Sequence, residues 1–357
     1  MMQKIVTLSF ALGAFAGTSA LAEVPQVATD IAPVHGLVSR VMQGLGTPEL
    51  IVPAGASPHD FALRPSQARA LQGADLVFWM GPALAPWLDR TLDSLSLGAV
   101  IDLNARPETR LLGWRESFGE GHDHGPAEDA QADRDDHAHE DHAEHDHEGH
   151  DHGEADHAGH DHESHYHDAE DHAAHDHDDH AGHDHGDRDP HSWLDPENAK
   201  AWSLLIAETL AEADPQNAGT YRANAEAGVA EIEAAAQAAE ALLAPHHDAG
   251  FLVFHDAYHY FETRFDLHAA GSVSLGDAAA PGPARVRALQ VRVAEEGIAC
   301  LFAEPQFERG LIETLAEGTG ARIATLDPLG SRLETGASFY PGLIGAMAED
   351  IAGCLGG

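Results

Sequence analysis

The segment from Gly121 to Gly186 limits what the chain can build. It holds 20 of the 28 histidines, acidic residues fill most of the other places, and few apolar residues beyond alanine occur in it. Without apolar surface to bury, such a segment cannot offset the entropy lost on ordering, so it reads as a disordered insertion. Its spacing is irregular, as in "HDHEGH" against "HAAHDHDDH", and therefore fixes no single geometry. Neutral imidazole is a good ligand for zinc, copper and nickel, and carboxylates add oxygen ligands. The segment reads as a mobile, multi-site metal collector, with an acidic spacer as the alternative.

The same segment explains the charge. From Glu120 to Asp189, 26 Asp and Glu stand against Arg134 and Arg188, a balance of −24 within a formal net charge of −41 for the chain. So acidic a protein is expected to have no nucleic-acid partner and no affinity for an anionic membrane surface.

The 357 residues, 43% of them hydrophobic, suffice for two cores on either side of the insertion. The opening "MMQKIVTLSFALGAFAGTSALA" has Lys4, an apolar run from Ile5 to Ala16 and the small-x-small sequence Ala20-Leu21-Ala22. It reads as a secretory signal cleaved after Ala22, with an uncleaved anchor as the alternative. No cysteine follows that site, which argues against a lipoprotein anchor, and no later segment reaches about 18 unbroken apolar residues. A soluble periplasmic protein is expected. Its two cysteines, Cys300 and Cys354, read as one disulfide in an oxidising compartment, with a pair of buried thiols as the alternative.

Strand and helix patterns alternate in both flanks. Residues 49–54, 75–80 and 99–103 read as strands, with helices near 64–74 and 85–95. After the insertion, Asp195-Pro196-Glu197 starts a helix that Asp214-Pro215 stops. Residues 216–245, rich in Ala and Glu, form a long helix closed by Pro245. Strands follow at 250–256, 300–306 and 322–328, with helices near 283–297, 308–318 and 340–354. The expected fold is α/β: two similar lobes with parallel sheets flanked by helices, joined by one long rigid helix. The expected boundaries are a signal at 1–22, a first lobe at 23–215 containing the insertion at 120–188, a connecting helix at 216–245 and a second lobe at 246–357.

Eight histidines lie outside the insertion, and ligands that fix one ion must stand on rigid elements. His59 follows the first strand in "GASPHDFALRPS", His191 precedes a helix in "DPHSWLDPE", and His255 ends the strand "FLVFHD". Open α/β sheets bind ligands at such places, and three imidazoles with a carboxylate or water make a common zinc set. Asp327, ending "RIATLDP", is the candidate carboxylate. Each histidine alone is better explained by solvation or hydrogen bonding; it is their joint placement that favours metal. His259 stands four residues from His255, a helical spacing that brings both to one ion only if the strand stops first. His35, His246, His247 and His268 read as structural or surface residues.

The blocks "GASPHDFALRPSQARALQGADLVFWMG", "DPHSWLDPE", "FLVFHDAYHYFE", "LFAEPQFERGLIETLA" and "TLDPLG", in that order with a histidine-rich insertion after the first, resemble the zinc-binding solute-capture components of bacterial ABC importers, the ZnuA type. The resemblance implies two α/β lobes, a rigid connecting helix and one ion in the cleft. It implies His59, His191 and His255 as ligands and aligns Asp327 with the acidic ligand of manganese-binding relatives. Manganese binders carry a carboxylate where this chain has His255, so a nitrogen-rich set favours zinc. It also aligns Cys300 and Cys354 with a disulfide of some zinc-binding members. Some relatives carry Glu just before the first histidine; here Pro58 stands there, which leaves water or Asp327 for the fourth position.

The expected function is non-enzymatic: capture of Zn(II) in the periplasm and its delivery to an ABC permease of the inner membrane by a monomeric protein, with the insertion collecting metal for the cleft. Modest lobe adjustment is expected of a rigid helix. The rival readings are a periplasmic zinc buffer or chaperone and a zinc hydrolase using Glu304 or Asp256 as general base.

Overall fold

The central strands of each sheet are short and fully buried, and that dictates a layered architecture. The computed structural model describes residues 24–115, 188–274 and 281–357. The expected signal, its cleavage site and residues 120–187 of the expected insertion lie outside the described residues. The first sheet contains β1 (Val27–Thr29), β2 (Glu49–Leu50), β3 (Leu76–Trp79) and β4 (Ala99–Asp102), in the order β2-β1-β3-β4. Helices α1 (Ala32–Val41), α2 (Pro65–Gly73) and α3 (Pro86–Leu95) alternate with them. All pairings are parallel, and every residue of β1 and β3 is buried, as expected of a sheet covered by helices on both faces.

After the insertion come α4 (Pro196–Ala213) and α5 (Ala218–Leu243). The α4 start is well specified: Pro196 occupies its first turn, and the Asp195 carboxylate accepts from the Glu197 N–H at 3.0 Å. Then β5 (Phe251–Val253), α6 (His259–Phe265), β6 (Ala269–Ser272), α7 (Pro283–Glu295), β7 (Cys300–Ala303), α8 (Gly310–Ala316), β8 (Arg322–Thr325) and α9 (Phe339–Leu355) complete the described chain. The second sheet has the order β6-β5-β7-β8, again parallel. The two sheets therefore share one topology, with β5 in the second standing where β1 stands in the first.

The long helix α5 links the two sheets and belongs to the cores of both. Its buried residues Tyr221, Ala225, Gly228, Ile232, Ala236, Ala239 and Leu243 recur every three or four places, a continuous apolar stripe. That stripe packs against α4, α1 and α9, and a single apolar cluster runs from Val27 and Phe78 through Tyr221 and Ile232 to Phe302 and Ile351. The Cys300–Cys354 disulfide ties the start of β7 to the last turn of α9.

Two strands go beyond the sequence-based expectation, β1 and β6. Each has three or four residues with no bulky run, "VAT" and "AAGS", and becomes a strand only because neighbours pair with it. In contrast, the strand expected at 49–54 is cut to Glu49–Leu50. Ile51 and Val52 still donate to the Thr29 and Asp30 carbonyls at 2.9 and 2.8 Å, but Pro53 has no N–H to continue. The strand expected through His255 stops at Val253, and α6 begins at His259, so these two histidines do not share a helical face.

Candidate metal centre

In each sheet the order reverses between two central strands, β1 and β3 in one, β5 and β7 in the other. Loops leaving such a pair in opposite directions open a crevice at the C-terminal strand ends. In the first sheet Asp30 fills it, its carboxylate accepting from the Ile31 and Met80 N–H groups at 2.7 Å each. Burial pushes this carboxyl up to about 7, against the pull of those same N–H donors. In the second sheet the corresponding place holds His255, just beyond β5, and Glu304, just beyond β7.

Three of the sequence-predicted residues meet there. His59, His191 and His255 each present a ring nitrogen within 4.8 Å of the other two. The Nε2 atoms of His59 and His191 are 3.4 Å apart. Two nitrogens bound at ~2.0–2.1 Å to one tetrahedral ion stand about 3.4 Å apart by simple trigonometry. His191 and His255 are buried, at 1% and 5% exposure, and His59 is half-buried.

Local structure fixes each ring. The loop bearing His59 is held where Trp87 Nε1 donates to the Pro58 carbonyl at 2.7 Å. His191 stands before a 3-10 turn at Ser192–Leu194, and the Asp189 carboxylate faces both its N–H at 3.0 Å and its Nδ1 at 2.7 Å. The His255 Nδ1 lies 2.7 Å from the Glu304 carboxylate. A carboxylate facing Nδ1 holds the proton there, which makes Nε2 the nitrogen that carries the metal-binding lone pair and raises its basicity. Burial raises the Asp189 carboxyl to about 7, opposed by the His191 N–H.

Asp327, the candidate carboxylate ligand, stands outside the three-histidine cluster. Its oxygens accept from the Leu329 N–H at 3.1 Å, the Ser331 N–H and hydroxyl at 2.6 Å each, and the Gln306 amide at 3.2 Å. The cavity at the histidines is lined instead by Trp193, Glu304, Gln306 and Phe307 among others, and its volume is about 10 Å³. That is room for one water-sized guest.

Behind the histidines runs a polar seam joining the two halves. Arg115 makes a two-pronged pair with Glu262, at 3.0 and 2.8 Å, and a further contact with Asp256 at 3.0 Å. Tyr260 Oη donates to the Asp189 carbonyl at 2.8 Å and accepts from the Leu112 N–H at 2.9 Å. Trp193 Nε1 donates to the Pro328 carbonyl at 2.9 Å. Gly113 pairs with Arg188 in an antiparallel bridge, so the chain leaves for residues 116–187 and returns from them at adjacent points. Asp256 is engaged in this seam and is not among the residues lining the histidine cavity.

The sequence reading missed Asp189, Arg115 and Gln306. Asp189 had a signal, since an Asp two residues before a turn commonly caps the backbone there; Gln306 follows Glu304 in the block "AEPQ". Arg115, at the edge of the insertion, had none. His35 is buried, with Nε2 3.1 Å from the Pro48 carbonyl, His247 faces Asp266 at 3.3 Å, and His268 is exposed.

Residues 27–354 match the family described as ZnuA, zinc-uptake complex component A, periplasmic. The chain belongs to the ZnuA family. It is 44% identical to the high-affinity zinc uptake system protein ZnuA of Paracoccus denitrificans, over 98% of both chains. It is 40% identical to the protein of that name from Brucella abortus, over 99% of this chain and 98% of the relative. A crystal structure of ZnuA superposes with a TM-score of 0.66 at 21% identity, covering 93% of this chain and 99% of that one, which shows a shared fold. In the ZnuA frame, then, the meeting of two parallel sheets carries three imidazoles poised around one ion-sized space.

Proposed function

We propose that the protein captures Zn(II) in the periplasm and hands it to an ABC permease of the inner membrane, with His59, His191 and His255 as protein ligands and water in the fourth position. The carrying observation is the convergence of three imidazole nitrogens within 4.8 Å, on loops from both halves, in a chain of the ZnuA family. Three neutral nitrogens suit zinc better than manganese, which prefers oxygen. The ion-sized cavity supports binding rather than catalysis; no bond is made or broken. In this reading the signal is removed after Ala22, the protein acts as a monomer, and the division into lobes at 23–215 and 246–357 about the helix at 216–245 describes the parts that grip the ion. The segment at 120–188 gathers metal and, being tethered, raises the zinc concentration that the cleft experiences.

X-ray absorption on the protein lacking residues 121–186 and loaded with one zinc tests the ligand set. Three nitrogen neighbours with one oxygen at ~2.0–2.1 Å are expected; a shell dominated by oxygen would contradict it. Cells producing that deleted form are expected to retain zinc-dependent growth when zinc is scarce. Loss of uptake at normal protein levels would favour a buffer whose working part is the insertion.

A further inference from the structure

Gln306 is the polar side chain in the histidine cavity that the ligand set leaves without a task. Its amide nitrogen donates to Asp327 Oδ1 at 3.2 Å. Both Asp327 oxygens already accept backbone N–H groups, Leu329 on Oδ1 and Ser331 on Oδ2, so the carboxylate acts toward Gln306 as an acceptor. The amide orientation is thereby fixed: turning it over would set oxygen against oxygen. The Gln306 Oε1 is buried and accepts no hydrogen bond, while the side chain lines the cavity with His59, His191 and His255. Asp327 itself lines a different cavity, with Arg332, Met347 and Asp350. Its loop is stiff as well. Gly330 has φ +62°, and a Cβ there would meet the Phe339 ring at 2.8 Å.

A buried acceptor without a partner is unfavourable. A water on zinc commits one lone pair to the metal, which makes its protons more acidic and the water chiefly a donor, so an acceptor is what suits the place facing it. We propose that Gln306, oriented by Asp327, accepts through Oε1 a hydrogen bond from the water that completes the zinc coordination. Asp327 thus shapes the fourth position without touching the metal: it is a positioning residue acting through Gln306. The proposal rests on the zinc site assigned to the three histidines.

The test compares Gln306→Leu, Asp327→Asn and the double variant by zinc competition with a chelator, by the visible spectrum of the Co(II) form and by melting of the metal-free protein. Gln306→Leu is expected to raise the zinc Kd about tenfold, as loss of an outer hydrogen-bond partner does, and to change the Co(II) bands at an unaltered metal-free Tm. Asp327→Asn should shift the Kd in the same direction, and the double variant should be no weaker than Gln306→Leu alone. An unchanged Kd and Co(II) spectrum in Gln306→Leu overturns the proposal. So does an Asp327→Asn effect that persists in full when Gln306→Leu is already in place, since Asp327 would then act on the metal directly. Should Gln306→Leu destabilise the fold, Gln306→Ala answers the same question. His255→Ala separates the two levels: zinc binding untouched by it would bring down the histidine site itself.

Discussion

The proton on Nδ1 decides whether an imidazole can bind metal through Nε2, and two buried carboxylates make that decision here. Asp189 and Glu304 each stand 2.7 Å from the Nδ1 they face. Asp189→Ala and Glu304→Ala are each expected to weaken zinc by about ten- to a hundredfold, measured by chelator competition, without removing a ligand. Asp30, in the equivalent crevice of the first sheet, makes a different prediction. Its carboxyl is raised to about 7 in the fold, from 3.8, chiefly by burial. The folded chain therefore holds a proton that the unfolded chain releases, and this contribution to stability is full below about pH 4 and lost as pH rises through about 7. Asp30→Asn mimics the protonated form. Its stability relative to the parent should climb between about pH 4 and 7 by about 1.4 kcal/mol per pH unit, read by urea denaturation of the metal-free protein; a difference independent of pH would contradict it. The three histidines were legible through their joint placement at strand ends and before a helix start, not one by one. Gln306 and Arg115 were not, since their partners lie far along the chain: 21 residues separate Gln306 from Asp327 and 147 separate Arg115 from Glu262.

Among the elements, those with a local signature were readable, short strands such as β3 and β7 included, while β1, β6 and α6 were not. The helix α5 announces itself by an Ala-rich run and a stop at Pro245, and α4 by its Asp-Pro start, because propensity and capping are local. In β1 and β6, pairing with a neighbour outweighs anything local, and α6 has only seven residues. The helix α9 also depends on distant partners, and Cys354 fastens its end to Cys300 on β7, 54 residues away. By the loop-closure argument the link stabilises the fold by about 4 kcal/mol. Replacing both cysteines by serine should lower stability by roughly that amount in urea titrations, inside the range of about 2–5 kcal/mol usual for such links, and leave the zinc site formed. A variant as stable as the parent would mean that packing of α9 on α5 and α1 already holds it.

At the largest scale, the long helix, the shared apolar cluster and the seam of Arg115, Tyr260 and Trp193 join the two similar sheets of the described residues, with the three-histidine cluster where they meet. The two-lobed plan could be read from the alternation of strands and helices on either side of residues 121–186; the seam could not, since it is built from contacts between distant stretches. The insertion leaves and returns at the Gly113–Arg188 bridge, so removing it spares every histidine of the centre. Calorimetric zinc titration of the form lacking residues 121–186 is the direct test. One tight zinc per chain, abolished by His255→Ala, is the predicted result. Loss of the tight site on deletion, or its survival in His255→Ala, would contradict it.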